Sequence, residues 1–250
     1  MVIKVSKNVE YSHVQDVSSW RKVAIGTWKT CGDPSVYGVM DVPAEQMLKY
    51  LEDLKQRTGK RVTITHFVGR TIAEVIKRHP DINCVLRLGA LYQRKNVDVF
   101  FQVATDSKGE DLSGMTIRNA DQKSIEQISE EMHERVQLIR AKKDPSFTRM
   151  KNVMKLLPGI LAYPMLWATG FLLYSLNLWT SLLGSPRDPF GSVMVTNIGS
   201  IGLDMAFAPL VPYSRIPILI VVGEVREQPV VRDGPVSYTH LRAHETDSYL

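Results

Sequence analysis

The sequence predicts a layered α/β domain built on a mixed or antiparallel sheet, and three observations predict it. Helix-like and strand-like segments mix along the chain without strict alternation. The β-former run Val97 to Ala104 is followed by the turn "DSKG", the pattern of one arm of an antiparallel pair. The run "IPILIVVGEV" is nearly continuous in apolar residues, the pattern of a strand buried on both faces. With 250 residues, 44% of them hydrophobic, the chain is long enough to bury one large core. No stretch rich in Gly, Ser or Pro reads as a linker, so one domain is expected.

The elements follow in order. After Pro43, which a first helical turn tolerates, Met47, Leu51 and Leu54 recur at helical spacing, and Gly59 suits the helix end. The β-branched run Val62 to Thr65 is expected as a strand or strand end. "FVGRTIAEVIKRHP" gives a second helix with Ile72, Val75 and Ile76 inward and Pro80 closing it. Cys84, inside "INCVLRL", reads as a small core residue rather than a nucleophile. Ser124 and Gln127 form a capping box for a third helix, whose buried stripe is Ile125, Ile128, Met132, Val136 and Ile139. His133 lies off that stripe and reads as a surface histidine.

Residues 156–186 contain no charged residue. At ~1.5 Å per residue the segment is long enough to span a bilayer, but a single crossing would separate strands expected in one domain. Pro158, Gly159, Pro164, Gly170 and Asn177 predict two shorter, interrupted helices. Buried or oligomer-contact helices are the first expectation, a hairpin lying in the membrane interface the second, and a true span the third. "SVMVTNIGSIG" then gives a strand running into a Gly-containing loop.

Composition excludes several classes. The net charge is +5, but the basic residues read as scattered, without a Lys/Arg stripe interleaved with aromatics, so no nucleic-acid partner is expected. Two cysteines are too few for a disulfide framework and lack metal-ligand spacing. The N-terminus has no signal-peptide apolar region, and a cytoplasmic location is the default expectation. Residues 236–246, "VSYTHLRAHET", resemble one reading frame of a translated sequencing adaptor, so 236–250 is expected to be a non-native tail. His240 and His244, four apart, would share a helix face as zinc ligands do, but they lack a third ligand and fall in that tail. No metal is expected.

Five stretches, in order, carry a family resemblance: "RKVAIGTWKT", "DVPAEQMLKYLEDLK", "THFVGRTIAEVIKRHPDINCVL", "VDVFFQVATDSKGEDLSGMTIRNADQKSIEQISEE", and "GSVMVTNIGSIG" with "PILIVVGEV". Together they cover roughly residues 20 to 235, and "ADQKSIEQI" and "VTNIGSIG" are the most distinctive. The chain resembles the catalytic domain of the 2-oxoacid dehydrogenase dihydrolipoyl acyltransferases, relatives of chloramphenicol acetyltransferase. The resemblance implies a chloramphenicol acetyltransferase-like layered sandwich, with helices packed on a mixed sheet, filling residues 1–235. It implies acyl transfer between coenzyme A and a thiol such as dihydrolipoamide, in a homotrimer, with a lipoyl-bearing partner. A basic rim attracting the coenzyme A phosphates would fit the net charge.

In the family a histidine of an HxxxDG motif deprotonates the attacking thiol. A hydroxyl in the strand before the Gly loop donates to the tetrahedral oxyanion across the subunit interface. That hydroxyl position falls on Thr196; apart from the resemblance, Thr196 reads as a β-branched strand residue at a loop edge. Asn197 and Gly199 read as shaping the turn. No HxxxDG occurs in the 250 residues, so the expectation is a catalytic domain incomplete at its C-terminus, lacking its general base and inactive as it stands. No lipoyl domain is read in the sequence. Two alternatives stay open: a non-catalytic trimeric scaffold, and a membrane-associated acyl-handling protein contacting the bilayer peripherally through 156–186.

Overall fold

The computed structural model describes residues 18–20, 22–23, 35–88, 90–104, 112–140, 158–180, 186–227, 230–231, 236–237 and 241–242. Helix α1 (Glu45–Thr58) buries Leu51 and Leu54 and ends at Gly59, whose φ of 67° lets its N–H return to the Lys55 carbonyl. The run Val62 to Thr65 is not a strand: helix α2 (Ile64–Arg78) starts inside it. Thr63 is extended and forms a capping box with His66, so the β-branched residues become the helix entry. Sequence alone points to Glu or Gln at that third position, and a histidine there hides the signal.

Strands β1 (Cys84–Arg87) and β2 (Ala90–Gln93) form a separate antiparallel pair. Cys84 is half-buried there rather than in the core, and its thiol is free. Strands β3 (Val99–Ala104) and β4 (Leu112–Ile117) pair antiparallel, as "DSKG" predicts. Two parallel strands, β5 (Val193–Asn197) and β6 (Ile218–Val222), complete a mixed sheet in the order β4-β3-β5-β6. Because β6 lies at the edge, only its Val222 is fully buried, and the rest of this apolar strand is half-buried rather than covered on both faces. Two-residue strands β7 (Arg226–Glu227) and β8 (Val230–Val231) pair with β10 (Leu241–Arg242) and β9 (Val236–Ser237), so the segment expected to be a tail supplies four paired residues.

Helices α2 and α3 (Ile125–Arg140) cover one face of the sheet. All five residues of the expected α3 stripe are buried, and its capping box closes through Ser124 N–H to Gln127 Oε1 at 2.9 Å and Gln127 N–H to Ser124 Oγ at 3.3 Å. On α2, Ile76 is buried and Ile72 half-buried, but Val75 faces outward. The inward face is instead built on Gly69 and Ala73. A Cβ added at Gly69 would fall 2.2 Å from the ring of Phe101, itself fully buried, so the missing side chain is what seats the helix on β3. The opposite sheet face carries Phe100, Met194 and Ile216, with Phe190, Leu210 and Leu219 around them.

The entry to β5 is clamped to the entry to β3. Ser192 N–H donates to the Asp98 carbonyl at 2.8 Å, and Asp98 N–H donates to Ser192 Oγ at 3.3 Å. Gly191 has a φ of 65°, and a Cβ there would meet the Asp98 carbonyl oxygen at 2.6 Å. Asp98 also pairs with Arg118 at 2.7 Å, while Arg118 donates to the carbonyls of Arg187 and Asp188. Arg94 closes on the Asp188 carboxylate at 3.1 Å.

Helix α4 (Gly159–Gly170) continues directly into a π turn (Phe171–Ser175), in place of the two interrupted helices expected up to that point. Ala162, Leu166, Gly170, Leu173 and Tyr174 face the body of the protein. The other side is not buried: Ile160 is 84% exposed and Trp167 61%. Among the described residues, no helix is long and apolar enough to cross a membrane.

Candidate functional site

Along β5 the side chains alternate. Val193 and Val195 face the helices, whereas Met194 joins Phe100 and Ile216 on the opposite face, and Thr196 follows Met194 there. Thr196 is half-buried and pairs in register with Gln102 on β3 and Val221 on β6. Its hydroxyl makes no hydrogen bond among the described residues, so its proton is available to an incoming group. The three parallel strands all end on this side, the usual location of ligands in sheets with parallel strands. Gln102, half-buried beside Thr196 on the same face, was not singled out from sequence. Being the one polar residue in "VDVFFQVA" after Asp98 was its only signal, and assigning it to the site requires the strand register.

Asn197 points to the other face and anchors the loop. Its Nδ2 donates to Thr65 Oγ1 at 2.9 Å, in the first turn of α2, while its Oδ1 accepts from Gly199 N–H at 2.9 Å. Ser200 Oγ donates to the Asn197 carbonyl at 3.2 Å, and a 3₁₀ turn over Gly199–Ile201 ends at Gly202 with a φ of 75°. This is an Asx-type turn tied to a helix end, as read from sequence for Asn197 and Gly199. It fixes the backbone immediately after Thr196.

No described histidine hydrogen-bonds to Thr196. His66 is 2% exposed, and its Nδ1 accepts from Thr63 N–H at 2.9 Å, with Thr63 Oγ1 at 3.0 Å. That leaves the proton on Nε2, which is buried without a partner among the described residues. Burial, then the charges of Arg61 and His133, hold its pKa down at about 4. His133 is exposed on α3 beside Gln137 at 2.8 Å, as expected, and His79 is exposed at the end of α2. His13, His240 and His244 lie outside the described residues, as does most of the expected tail. Among the described residues no group of three His, Cys, Asp or Glu is arranged to hold a metal. A shallow groove of about 280 Å³ between α1, α2 and the start of α3 is lined by Tyr50, Phe67 and Arg70 and does not include Thr196.

Comparison with known proteins gives the family and the fold. The family model for the 2-oxoacid dehydrogenases acyltransferase (catalytic domain) matches residues 13–146, more than half of the chain. The chain is similar to the lipoamide acyltransferase component of the branched-chain alpha-keto acid dehydrogenase complex of Bacillus subtilis (strain 168), 25% identical over 103 residues. That alignment covers 40% of this chain and 24% of the relative, so the chain spans about a quarter of that protein's length. In structure it is similar to the dihydrolipoamide acetyltransferase of Azotobacter vinelandii, with a TM-score of 0.65 at 20% identity, covering 96% of this chain and 85% of that one. The cubic core of a pyruvate dehydrogenase multienzyme complex gives 0.64 at 20%, with the same coverages. A probable dihydrolipoamide acetyltransferase of Listeria monocytogenes 4b F2365 gives 0.60 at 16%, covering 95% and 81%. At these identities the likeness establishes the fold: the mixed sheet with helices packed on it is the chloramphenicol acetyltransferase-like architecture expected from the sequence.

Proposed function

We propose, from the premise that the chain belongs to the 2-oxoacid dehydrogenase acyltransferase family, that it carries the acyl-transfer chemistry of that catalytic domain, moving an acyl group between coenzyme A and a thiol such as dihydrolipoamide. The observation that carries the reading is Thr196: a hydroxyl uncommitted among the described residues, at the end of the central β5, with its following loop anchored by Asn197. Thr196 lies beyond the residues that the family model matches, so its role rests on the resemblance of "VTNIGSIG" and on this placement.

The chemistry assigns the parts. A thiol with a pKa near ~8.5 is mostly protonated at neutral pH, so a base must take its proton before the sulfur attacks the thioester carbonyl. A carbon–sulfur bond forms, and the carbonyl electrons move onto oxygen. Thr196 Oγ1–H donates to that oxyanion. The intermediate collapses by breaking the original carbon–sulfur bond, and the departing thiolate takes the proton back from the base. One preorganised donor of this kind lowers the barrier by about 3–4 kcal/mol. The 250 residues contain no HxxxDG, so the base is a histidine these residues do not supply.

We further propose a homotrimer that completes its site between subunits, a lipoyl-bearing partner and a cytoplasmic location. Sequencing the gene across codons 235–250 and beyond tests the reading. A continuation carrying HxxxDG is expected, and the protein bearing it is expected to transfer acetyl groups between acetyl-coenzyme A and dihydrolipoamide. The 250-residue chain is expected to give none above background. A continuation without the His and Asp would remove the enzyme and leave the trimeric scaffold, and substantial turnover by the 250-residue chain would remove the missing-base argument.

A further inference from the structure

Strand β5 loses a sheet neighbour just where Thr196 sits. Among the described residues, its pairing with β3 ends at Thr196 opposite Gln102, while pairing with β6 runs one residue further, to Asn197 opposite Val222. A threonine side chain has few χ1 choices, so the position of its hydroxyl follows the backbone that carries it. Whatever holds Asn197 bears on where Thr196 can donate.

A second attachment comes from α2. Thr65 is buried, 3% exposed, and its Oγ1 accepts from Asn197 Nδ2 at 2.9 Å. The Asn197 Oδ1 accepts from Gly199 N–H at 2.9 Å, so one side chain ties the loop both to itself and to the helix. Thr65 and Gly69 lie four apart, on one face of α2. Gly69 sits against the ring of Phe101, which pairs in register with Val195, and Thr65 meets Asn197. The residues on either side of Thr196 are referred to a single helix face, on the side of the sheet away from the hydroxyl. The Thr63–His66 capping box fixes the start of that helix, so Thr65 stands on a closed first turn and not on a fraying end.

We propose that Thr65 is a positioning residue for Thr196: through Asn197 it holds the end of β5 in the orientation from which the Thr196 hydroxyl donates to the oxyanion. Thr65 touches no reacting atom and acts through the Asn197 amide alone. A preorganised donor loses its advantage when it is displaced by a fraction of a hydrogen-bond length, so a loosened loop costs turnover before it costs substrate binding. The inference rests on the acyl-transfer role proposed for Thr196.

Two measurements test it. On the 250-residue chain, hydrogen exchange read by mass spectrometry is expected to speed up about tenfold over residues 198–203 in Thr65→Val, with residues 68–78 unchanged. Thr65→Ser, which keeps the hydroxyl, is expected to restore the slow exchange. In the protein completed by an HxxxDG histidine, Thr65→Val is expected to lower kcat for acetyl transfer to dihydrolipoamide about tenfold, with KM for acetyl-coenzyme A little changed and Thr65→Ser close to wild type. In a Thr196→Ala background the same substitution is expected to change kcat by less than about twofold, because no hydroxyl is left to position. Thr65→Ala, a better helix former, gives the same comparisons if the valine variant does not fold. Unchanged loop exchange overturns the proposal, as does faster exchange with unchanged kcat. Equal losses of kcat with and without the Thr196 hydroxyl also overturn it and leave Thr65 a role in folding alone. A completed protein without turnover, or one in which Thr196→Ala has no effect, is the separate failure: it removes the acyl-transfer reading, while loop exchange still reports whether Thr65 holds Asn197.

Discussion

The Thr196 hydroxyl and the His66 ring are the two polar groups whose surroundings say most about what they do. Thr196 has a donor to give and a backbone held on both sides, by β3 and β6 laterally and by the Asn197 turn ahead. In the protein completed by an HxxxDG histidine, Thr196→Ala is expected to lower kcat about 10²–10³-fold with KM little changed, while Thr196→Ser, which keeps the hydroxyl, retains most activity. Steady-state kinetics with acetyl-coenzyme A and dihydrolipoamide measure the split. His66 is neutral when folded, because burial holds its pKa at about 4, against an ordinary value of 6.5. Its contribution is therefore present above pH 6.5 and is lost as pH falls toward 4, by up to about 3 kcal/mol. His66→Gln keeps a side-chain acceptor for the capping box but cannot titrate, so urea unfolding at pH 7 and pH 4.5 is expected to show a smaller pH loss in this variant. The place of Thr196, at the end of a strand before a Gly-containing loop, was legible in the sequence because "SVMVTNIGSIG" spells that passage. Gln102 was not, because its place beside Thr196 exists only through strand register.

Among the elements, α3 was fully legible: a 3.6-residue period with a Ser/Gln capping box leaves one solution, and its five stripe residues are all buried. Helix α2 was legible as a helix but not in its facing. Periodicity favours large apolar residues, yet the contact with β3 is made where there is least side chain, at Gly69 and Ala73, and this rotates Val75 outward. Gly69→Ala should thus destabilise the protein despite the ~1 kcal/mol gain in helix propensity. The new methyl group meets a fully buried Phe101 ring with little room to turn, and the expected net loss is about 1–2 kcal/mol in urea unfolding. Adding Phe101→Leu should recover part of that loss relative to Phe101→Leu alone, and additive effects would show that the contact is not the cause. Strand β6 was read as doubly covered because its composition is apolar, but composition does not reveal an edge position.

At the scale of the whole molecule the family fold was legible because the motifs recur in order over most of the chain. The exposure of α4 was not, since an uncharged segment reads the same whether it is covered or bare. The proposed trimer predicts a light-scattering mass three times that of the monomer; a monomer at all concentrations would argue against a site shared between subunits. The clamp between Ser192 and Asp98, reinforced by Gly191 and Arg118, bears on how this architecture varies. A slip of one residue in β5 would turn Thr196 toward the helices and Asn197 away from Thr65. Because register is set at the first residue before the strand, whatever precedes it is insulated from that alignment. The stretch from 158 to 186 is thereby free to lengthen, shorten or change its chemistry over evolutionary time, while the hydroxyl downstream keeps its address in the sheet.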